Sequence, residues 1–427
     1  MGTFLNLIYG IAILVSLPWL IIRGIRTGRY RAGWKQKLLG LVPETVDTQR
    51  VIWLHAVSVG EVQLLSTLVA GLELRKPNCK LCISTTTRAG MELAEKTFAK
   101  HSVFYFPLDF TWAVRTAIVR LKPSLLVLVE LEVWPNLIRE AKRVQCAVVI
   151  VNGRLSESSF DRYTQFRWLI KSSFEKLDLV AVQDAVYAER FRSMGVRQGR
   201  ILQAGNLKFD GACNDRSHRE VLSRKAQLCI SEEHRVWVVG STQAPEEEYA
   251  IEAFQKIHTC FPKCKLIIVP RQPDRFDEVA TLLEKTAFRV IRRSKLPKVS
   301  ENDWEIMLGD TLGELRWWWG LADFAFVGGS FGDRGGQNMI EPAAFGVSTA
   351  VGPNTKNFAD TVRILLEAKA LIQLQQPEDL FDWALANVSS AEHRAQMGKR
   401  ASEIASAHRG ALDRTLDALE PWMEKDS

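Results

Sequence analysis

Residues 53–63 read WLHAVSVGEVQ, an apolar run giving way to a glycine, a glutamate and the start of a helical pattern. A turn between strand and helix often seats a phosphate, because the helix start presents unpaired N–H groups and a partial positive charge. Glu61 at that turn repels a phosphate. A carboxylate there instead suits a group that must lose a proton. The competing reading is a first-turn residue that complements the helix dipole. Phosphate chemistry is expected elsewhere, where GST (240–242) follows an apolar run and GGSFGDRGGQN (328–338) precedes the helical stretch IEPAAF. Glycines let backbone approach a phosphate closely, so a nucleotide belongs in the C-terminal half.

The elements that hold these turns follow from hydropathy. Apolar, β-rich runs occur at 51–58, 80–85, 102–107, 125–130, 146–152 and 179–183, with helical stretches between them. After a polar pause at 206–225 the pattern restarts at 236–241, 265–270, 288–293, 324–330 and 348–353. Continuous apolar strands alternating with helices predict parallel sheets covered on both faces. The chain therefore reads as α/β, with two Rossmann-like doubly wound domains joined near residue 215. Expected bounds are 1–25 for an anchor, 26–215 for the first domain and 216–427 for the second, with the last helix returning to the first. By analogy, the domains face each other across a cleft as in large two-Rossmann-domain glycosyltransferases, with ligands at the strands' carboxyl ends.

Residues 1–22 carry no charge and are followed by Arg23, Arg26, Arg29, Arg31, Lys35 and Lys37 without an intervening acid. Those cations supply most of the formal net charge of +7, so a nucleic-acid footprint spread over a domain is excluded. About 20 apolar residues match a bilayer core, and a basic block after them keeps the remainder cytoplasmic. Asn6, Ser16 and Pro18 weaken the span and leave a helix lying in the interface as the alternative. The 7 cysteines form no regular framework and read as reduced thiols. Cys79 and Cys82 lack the second pair that a zinc site needs.

HAVSVGE, ELEVWPNLI, NGRLS, GNLKFD, PRQPDRF, GDTLGEL, FVGGS and RGGQNMIEPAAFG occur in an order that resembles the 3-deoxy-D-manno-octulosonic acid (Kdo) transferases of lipopolysaccharide assembly. The resemblance extends from the N-terminal segment to about residue 360. It implies a glycosyltransferase of the GT-B type on the cytoplasmic face of the inner membrane. It also implies inverting transfer of Kdo from CMP-Kdo to a hydroxyl of the lipid A precursor (lipid IVA), without metal or cofactor. Glu61 resembles the family's general base. Glu130, ending the run LLVLVE, matches a position that supports the transition state, with Glu132 as its rival. Lys208 in GNLKFD is a cation suited to the donor's carboxylate or phosphate.

For CMP, the resemblance implies Pro270 and Arg271 at a strand end, Leu312, Gly313 and Glu314 at a turn reading the cytosine, and Asn338, Met339, Ile340 and Glu341 at a helix start. Three positions depart from the family: Gln272 and Gln337 replace histidines, and Asn206 replaces a serine. The glutamines keep hydrogen bonding and lose titration, so neither is given proton transfer. The triple tryptophan 317–319 reads as packing beside a membrane-proximal or interdomain surface. Two other readings are a UDP-sugar transferase of the same fold and a membrane-tethered binding module.

Overall fold

The structure, a computed structural model, describes residues 2–7, 9–11, 14–15, 33–45, 49–296 and 304–423. They form two compact units, Met1–Asp210 with His408–Ser427, and Gly211–Ala407. The first unit is built on seven strands: β1 (Val51–His55), β2 (Lys80–Thr85), β3 (Ser102–Tyr105), β4 (Leu125–Val129), β5 (Ala147–Gly153), β6 (Leu179–Val182) and β7 (Ile201–Gln203). Their order is β3-β2-β1-β4-β5-β6-β7, and every pairing is parallel.

β1, β4 and β5 are buried along their whole length, which is why their sequences are continuous apolar runs. Alternate residues serve opposite faces. Leu126 and Leu128 join one core with Trp53 and Phe104, while Leu125, Val127 and Val129 join the other with Ile52 and Leu54.

The second unit repeats the plan with β8 (Arg235–Thr242), β9 (Cys264–Pro270), β10 (Val290–Arg292), β11 (Ile306–Leu308), β12 (Phe324–Val327), β13 (Ser348–Val351) and β14 (Ile372–Gln373). The order is β10-β11-β9-β8-β12-β13-β14, again parallel. In each sheet the chain reverses its direction of progress once, between β1 and β4 and between β8 and β12. Loops leaving such a pair diverge to opposite faces and open a crevice at the carboxyl ends. β7, β11 and β14 were not anticipated from the sequence. At two or three residues each, they are too short to imprint a pattern.

The chain leaves the first unit between Asp210 and Gly211 and re-enters it at His408. Its last helix, Ala411–Met423, lies on the helix Val59–Arg75, and Leu416, Leu419 and Met423 enter the same core as β1 and β4. Gly71 permits the close approach, since a Cβ there would stand 2.6 Å from Leu416 Cδ1. Arg75 pairs with Asp413 at 2.8 Å and with Asp417, and Asp210 accepts the N–H groups of Gly410 and Leu412 at 2.5 Å each.

The described N-terminal residues are helical and rest on the first unit. Asn6 Oδ1 accepts the Thr111 N–H at 3.0 Å, Tyr9 donates to Asp109 at 3.2 Å, and Phe4 lies 6.5 Å from Trp168 between ring centroids. Among the described residues no helix is long and apolar enough to cross a membrane. Arg23, Arg26, Arg29 and Arg31, with residues 16–22 before them, lie outside the described residues.

Leu416→Ala should weaken the first unit by about 2–5 kcal/mol, the usual cost of emptying a leucine site in a packed core. Urea unfolding followed by a probe in that unit should show an earlier transition, with the second unit's transition unmoved.

Candidate active site

β1 and β4 flank the first switch point, and the chemistry-bearing carboxylates follow these two strands. After β1, Ser58 caps the helix Val59–Arg75, its Oγ accepting from the Glu61 N–H at 3.4 Å. Glu61 reaches back: Oε2 accepts the Val57 N–H at 2.8 Å and Oε1 accepts the Ser58 hydroxyl at 2.9 Å. This is close to a capping box: the cap side chain accepts the Glu61 N–H, while the Glu61 carboxylate turns back to the Val57 N–H and the cap hydroxyl. The anion that a helix start attracts is thus supplied by the protein. Burial raises the Glu61 carboxyl above the ordinary carboxylate range and the Glu130 charge adds to this, while hydrogen bonds from Val57 and Ser58 oppose it.

After β4, Glu130 adopts a left-handed backbone with φ +59°. A side chain other than glycine pays about 1–3 kcal/mol for that conformation, and such residues concentrate at functional sites. Its N–H donates to Val151 O at 3.0 Å and its C=O accepts from Arg154 N at 3.4 Å, which over-determines the turn. Two cations attend its side chain, Arg154 at 3.6 Å and Lys208 at 3.7 Å.

Glu132 follows, accepting the Trp134 indole N–H at 2.8 Å. Burial, then the charges of Glu61 and Glu130, push it up to about 7 against that hydrogen bond. Glu61, Glu130 and Glu132 therefore form one electrostatically linked cluster.

Lys208 is set by a buried amide network. Asn206 Oδ1 accepts the Lys208 N–H at 3.0 Å, and its Nδ2 donates to Gln183 Oε1 at 3.1 Å. Gln183 in turn donates to Asn152 O, while Asn152 Oδ1 accepts the Leu207 N–H. A serine at 206 is too short to bridge both partners, so the asparagine is bound to this arrangement. The sequence reading thus brings together Glu61, Glu130 and Lys208. It missed Arg154 and His55, although a lone polar residue inside the apolar run of β1 was a usable signal for the latter.

At the second switch point, the start of the loop expected to cradle a phosphate is already occupied. Glu246 is fully buried and accepts the N–H groups of Gln243, Gly329, Ser330 and Phe331 at 3.0, 2.7, 2.9 and 3.0 Å. The start of the glycine-rich loop thus already holds a carboxylate from its own chain. Gly328 is required because a Cβ there would come within 2.5 Å of Glu246 Oε2.

The GST segment is also committed to packing. A Cβ on Gly240 would stand 2.4 Å from the Trp319 indole, and the Thr242 hydroxyl donates to Glu247 at 2.7 Å. Glu247 is held in turn by Arg275 at 2.7 Å. Trp318 and Trp319 are core residues and Trp317 stacks on His218 at 4.3 Å, which accounts for the tryptophan run by packing inside this unit.

The remaining candidates of this unit surround that filled crevice. Pro270 ends β9 in the core, and Arg271 is exposed, with its N–H on Thr242 O at 3.0 Å and no ion pair among the described residues. Leu312 is 72% exposed beside Gly313, whose φ of +78° makes the turn. The Glu314 carboxylate is engaged by its own chain. Arg293 holds it at 2.8 Å and Arg224 at 2.6 Å. Burial works against its ionisation, yet hydrogen bonds from Arg293 and Thr311 and the Arg224 charge bring it down to about 2.

Asn338 is exposed and accepts the Ile340 N–H at 3.0 Å just ahead of the short helix Ile340–Ala344. Met339 and Ile340 point into the core, so only their backbone can meet a ligand. Glu341 is raised by burial, with Arg316 and Asn338 opposing. Gln337 packs over Gly329.

Two parallel doubly wound sheets, each with a switch point, define a fold of the two-Rossmann-domain class. A MurG structure from Acinetobacter baumannii shares the fold, with a TM-score of 0.57 and 12% identity over 87% of this chain and 99% of that one. A family profile described as 3-Deoxy-D-manno-octulosonic-acid transferase (kdotransferase) matches residues 31–211. The 3-deoxy-D-manno-octulosonic acid transferase of Haemophilus influenzae is 34% identical over 378 residues, 88% of each chain. That of Bordetella pertussis is 32% identical over 387 residues, 87% of each. The chain belongs to the Kdo transferase family, the glycosyltransferases of lipopolysaccharide biosynthesis.

Glu246→Ala should free the loop at 329–331. Each buried N–H left without an acceptor costs about 1–3 kcal/mol. Hydrogen exchange should show lost protection at Gly329, Ser330 and Phe331, with the first unit's amides unaffected.

Proposed function

We propose that this enzyme transfers Kdo from CMP-Kdo to a hydroxyl of the lipid A precursor, lipid IVA, with inversion at the anomeric carbon. The observation that carries the reading is the Glu61 carboxylate, raised by burial and held at the first switch point by Val57 and Ser58. A carboxylate with a raised pKa is a better proton acceptor than an ordinary one. In the transfer, the acceptor oxygen forms a bond to the anomeric carbon while the bond from that carbon to the CMP phosphate breaks. The hydroxyl proton passes to Glu61, and CMP departs with the electron pair. One displacement inverts the centre.

Positive charge developing on the sugar is favoured by the Glu130 carboxylate, and Lys208 suits the donor's carboxylate. CMP belongs to the second unit, with the exposed Arg271 guanidinium for its phosphate and the backbone of Pro270, Leu312, Gly313 and Asn338–Ile340 for the rest. Glu341 is the acceptor for ribose hydroxyls. Glu314 contributes by fastening the turn that carries Leu312 and Gly313, through Arg293 and Arg224.

Glu61→Gln keeps the shape and removes proton acceptance. It should retain CMP binding, in preference to UDP, and lose about 10²–10⁴-fold in turnover. Mass spectrometry of the product from CMP-Kdo and lipid IVA measures it. Turnover near that of the unaltered enzyme defeats the assignment.

We also propose attachment to the inner membrane on its cytoplasmic side. Supporting it, Leu7, Leu14 and Val15 are exposed on the N-terminal helix, as is Trp168 on the surface against which Phe4 rests. The cations from Arg23 to Lys37 add about 1 kcal/mol each near an anionic leaflet. Removing residues 1–22 should make the membrane-bound fraction strippable by high salt, which screens the cations and not the apolar helix. Fractionation with and without a salt wash reads the difference, and activity in detergent should persist.

A further inference from the structure

His55 ends β1 beneath the carboxylate cluster, and the proposed transfer gives it no task. Its side chain is wholly enclosed, with the ring stacked on Phe106 at 3.8 Å between centroids and 20° between planes. Nδ1 lies 3.2 Å from Ser84 O and 2.9 Å from Ser84 Oγ. A carbonyl oxygen only accepts, so Nδ1 carries the hydrogen. Ser84 Oγ agrees with this, because it accepts the Trp53 indole N–H at 2.8 Å and aims its own hydrogen at Leu54 O, 3.5 Å away. The tautomer leaves a lone pair on Nε2. That atom is buried without a hydrogen-bond partner, and Glu132 Oε2 stands 3.9 Å from it.

A buried acceptor without a donor is costly, and a lone pair facing an ionised carboxylate repels it. A carboxylic acid removes both penalties by donating its O–H to Nε2, and a small turn of the carboxyl closes the gap to hydrogen-bond range. Burial keeps the imidazole itself neutral, its pKa lowered to about 3, so the ring cannot supply the missing proton.

Among the described residues, the other groups facing Glu132 are Glu61 from the helix Val59–Arg75, Glu130 from the end of β4, the Trp134 indole, and Tyr163 from the helix Glu157–Gln165. None is a cation. Arg154 and Lys208 are both engaged with Glu130.

We infer that His55 is a positioning residue of the transfer site, its Nε2 accepting the hydrogen of a neutral Glu132 beside Glu61 and Glu130. The inference rests on the reading of Glu61 as the base. Without a proton on Glu132, three negative charges would crowd one crevice and compete for the proton arriving from the acceptor. With it, Glu61 is the carboxylate left to receive that proton, and Glu132 is fixed in place by the ring. Above neutral pH, Glu132 ionises, the hydrogen bond to His55 breaks, and turnover falls.

The full-length enzyme labelled with ¹⁵N-histidine tests this directly, with the His55 signal assigned by its loss in His55→Leu. The expected spectrum is a neutral ring with hydrogen on Nδ1 from pH 5 to 9. Its Nε2 shift should follow a titration centred near 7 that is absent in Glu132→Gln. In steady-state kinetics, His55→Leu should lower kcat about tenfold, leave the donor KM unchanged and move the alkaline limb of the kcat profile to lower pH.

His55→Gln, which keeps an acceptor oxygen, should recover part of the loss. The His55→Leu and Glu132→Gln effects should be non-additive, as for groups in contact. Hydrogen on Nε2, an Nε2 shift indifferent to Glu132, or additive losses would overturn the inference. The spectroscopic result stands apart from activity. An active Glu61→Gln with the expected His55 titration removes the base and leaves the pair, whereas an inactive one with hydrogen on Nε2 does the reverse.

Discussion

Backbone N–H groups at the carboxyl ends of parallel strands must find acceptors when they are buried, and this requirement organises both halves of the enzyme. At each switch point the acceptor is a glutamate of the chain itself. Glu61 fills the capped helix start after β1, and Glu246 fills the loop after β12. Folds of this kind commonly leave such donors for a ligand's phosphate. Here the same donors hold carboxylates, so the first crevice is suited to proton acceptance and the second is made rigid before any ligand arrives.

The first crevice shows how placement becomes chemistry. Three carboxylates stand on loops from two neighbouring strands, and the charges of Glu61 and Glu130 raise the proton affinity of Glu132. Among the described residues, Glu130 is the one of the three that pairs with cations, and it is also the one held in the left-handed backbone region. The charges are therefore differentiated. Glu130 is neutralised by partners, Glu132 is pushed to about 7 in an apolar enclosure, and Glu61 is retained by two neutral donors. Environment rather than residue type separates the roles, as with paired carboxylates in other enzymes.

In the second unit the same residues that suggested a nucleotide site turn out to have two kinds of work. Gly240 and Gly328 are small because Trp319 and Glu246 occupy the space, and Glu314 is a fastener between Arg224 and Arg293. Exposed positions such as Arg271, Leu312 and Asn338 remain available to a ligand. At 329–331 the glycine-rich spacing serves the chain's own Glu246, because a glycine's missing side chain admits a neighbouring carboxylate as readily as a ligand.

The sequence alone determined the parallel sheets, since buried strands such as LLVLV and CKLIIVP must be apolar on both faces. It also located Glu61 and Glu130, because the ends of such strands are where polar side chains first become affordable. Eight ordered motifs were enough to indicate the family. What only the tertiary structure decided is the pairing of groups distant in the chain. Glu246 meets Gly329, Lys208 meets Glu130, and Ser84 fixes the tautomer of His55. It also decided which residues of the last helix, Ala411–Met423, enter the first unit's core, namely Leu416, Leu419 and Met423. Hydropathy is a local property that each strand records by itself. A hydrogen-bond partner or an ion pair is set by strand order, which brings β1 beside β4 and β8 beside β12 although neither pair is adjacent in sequence.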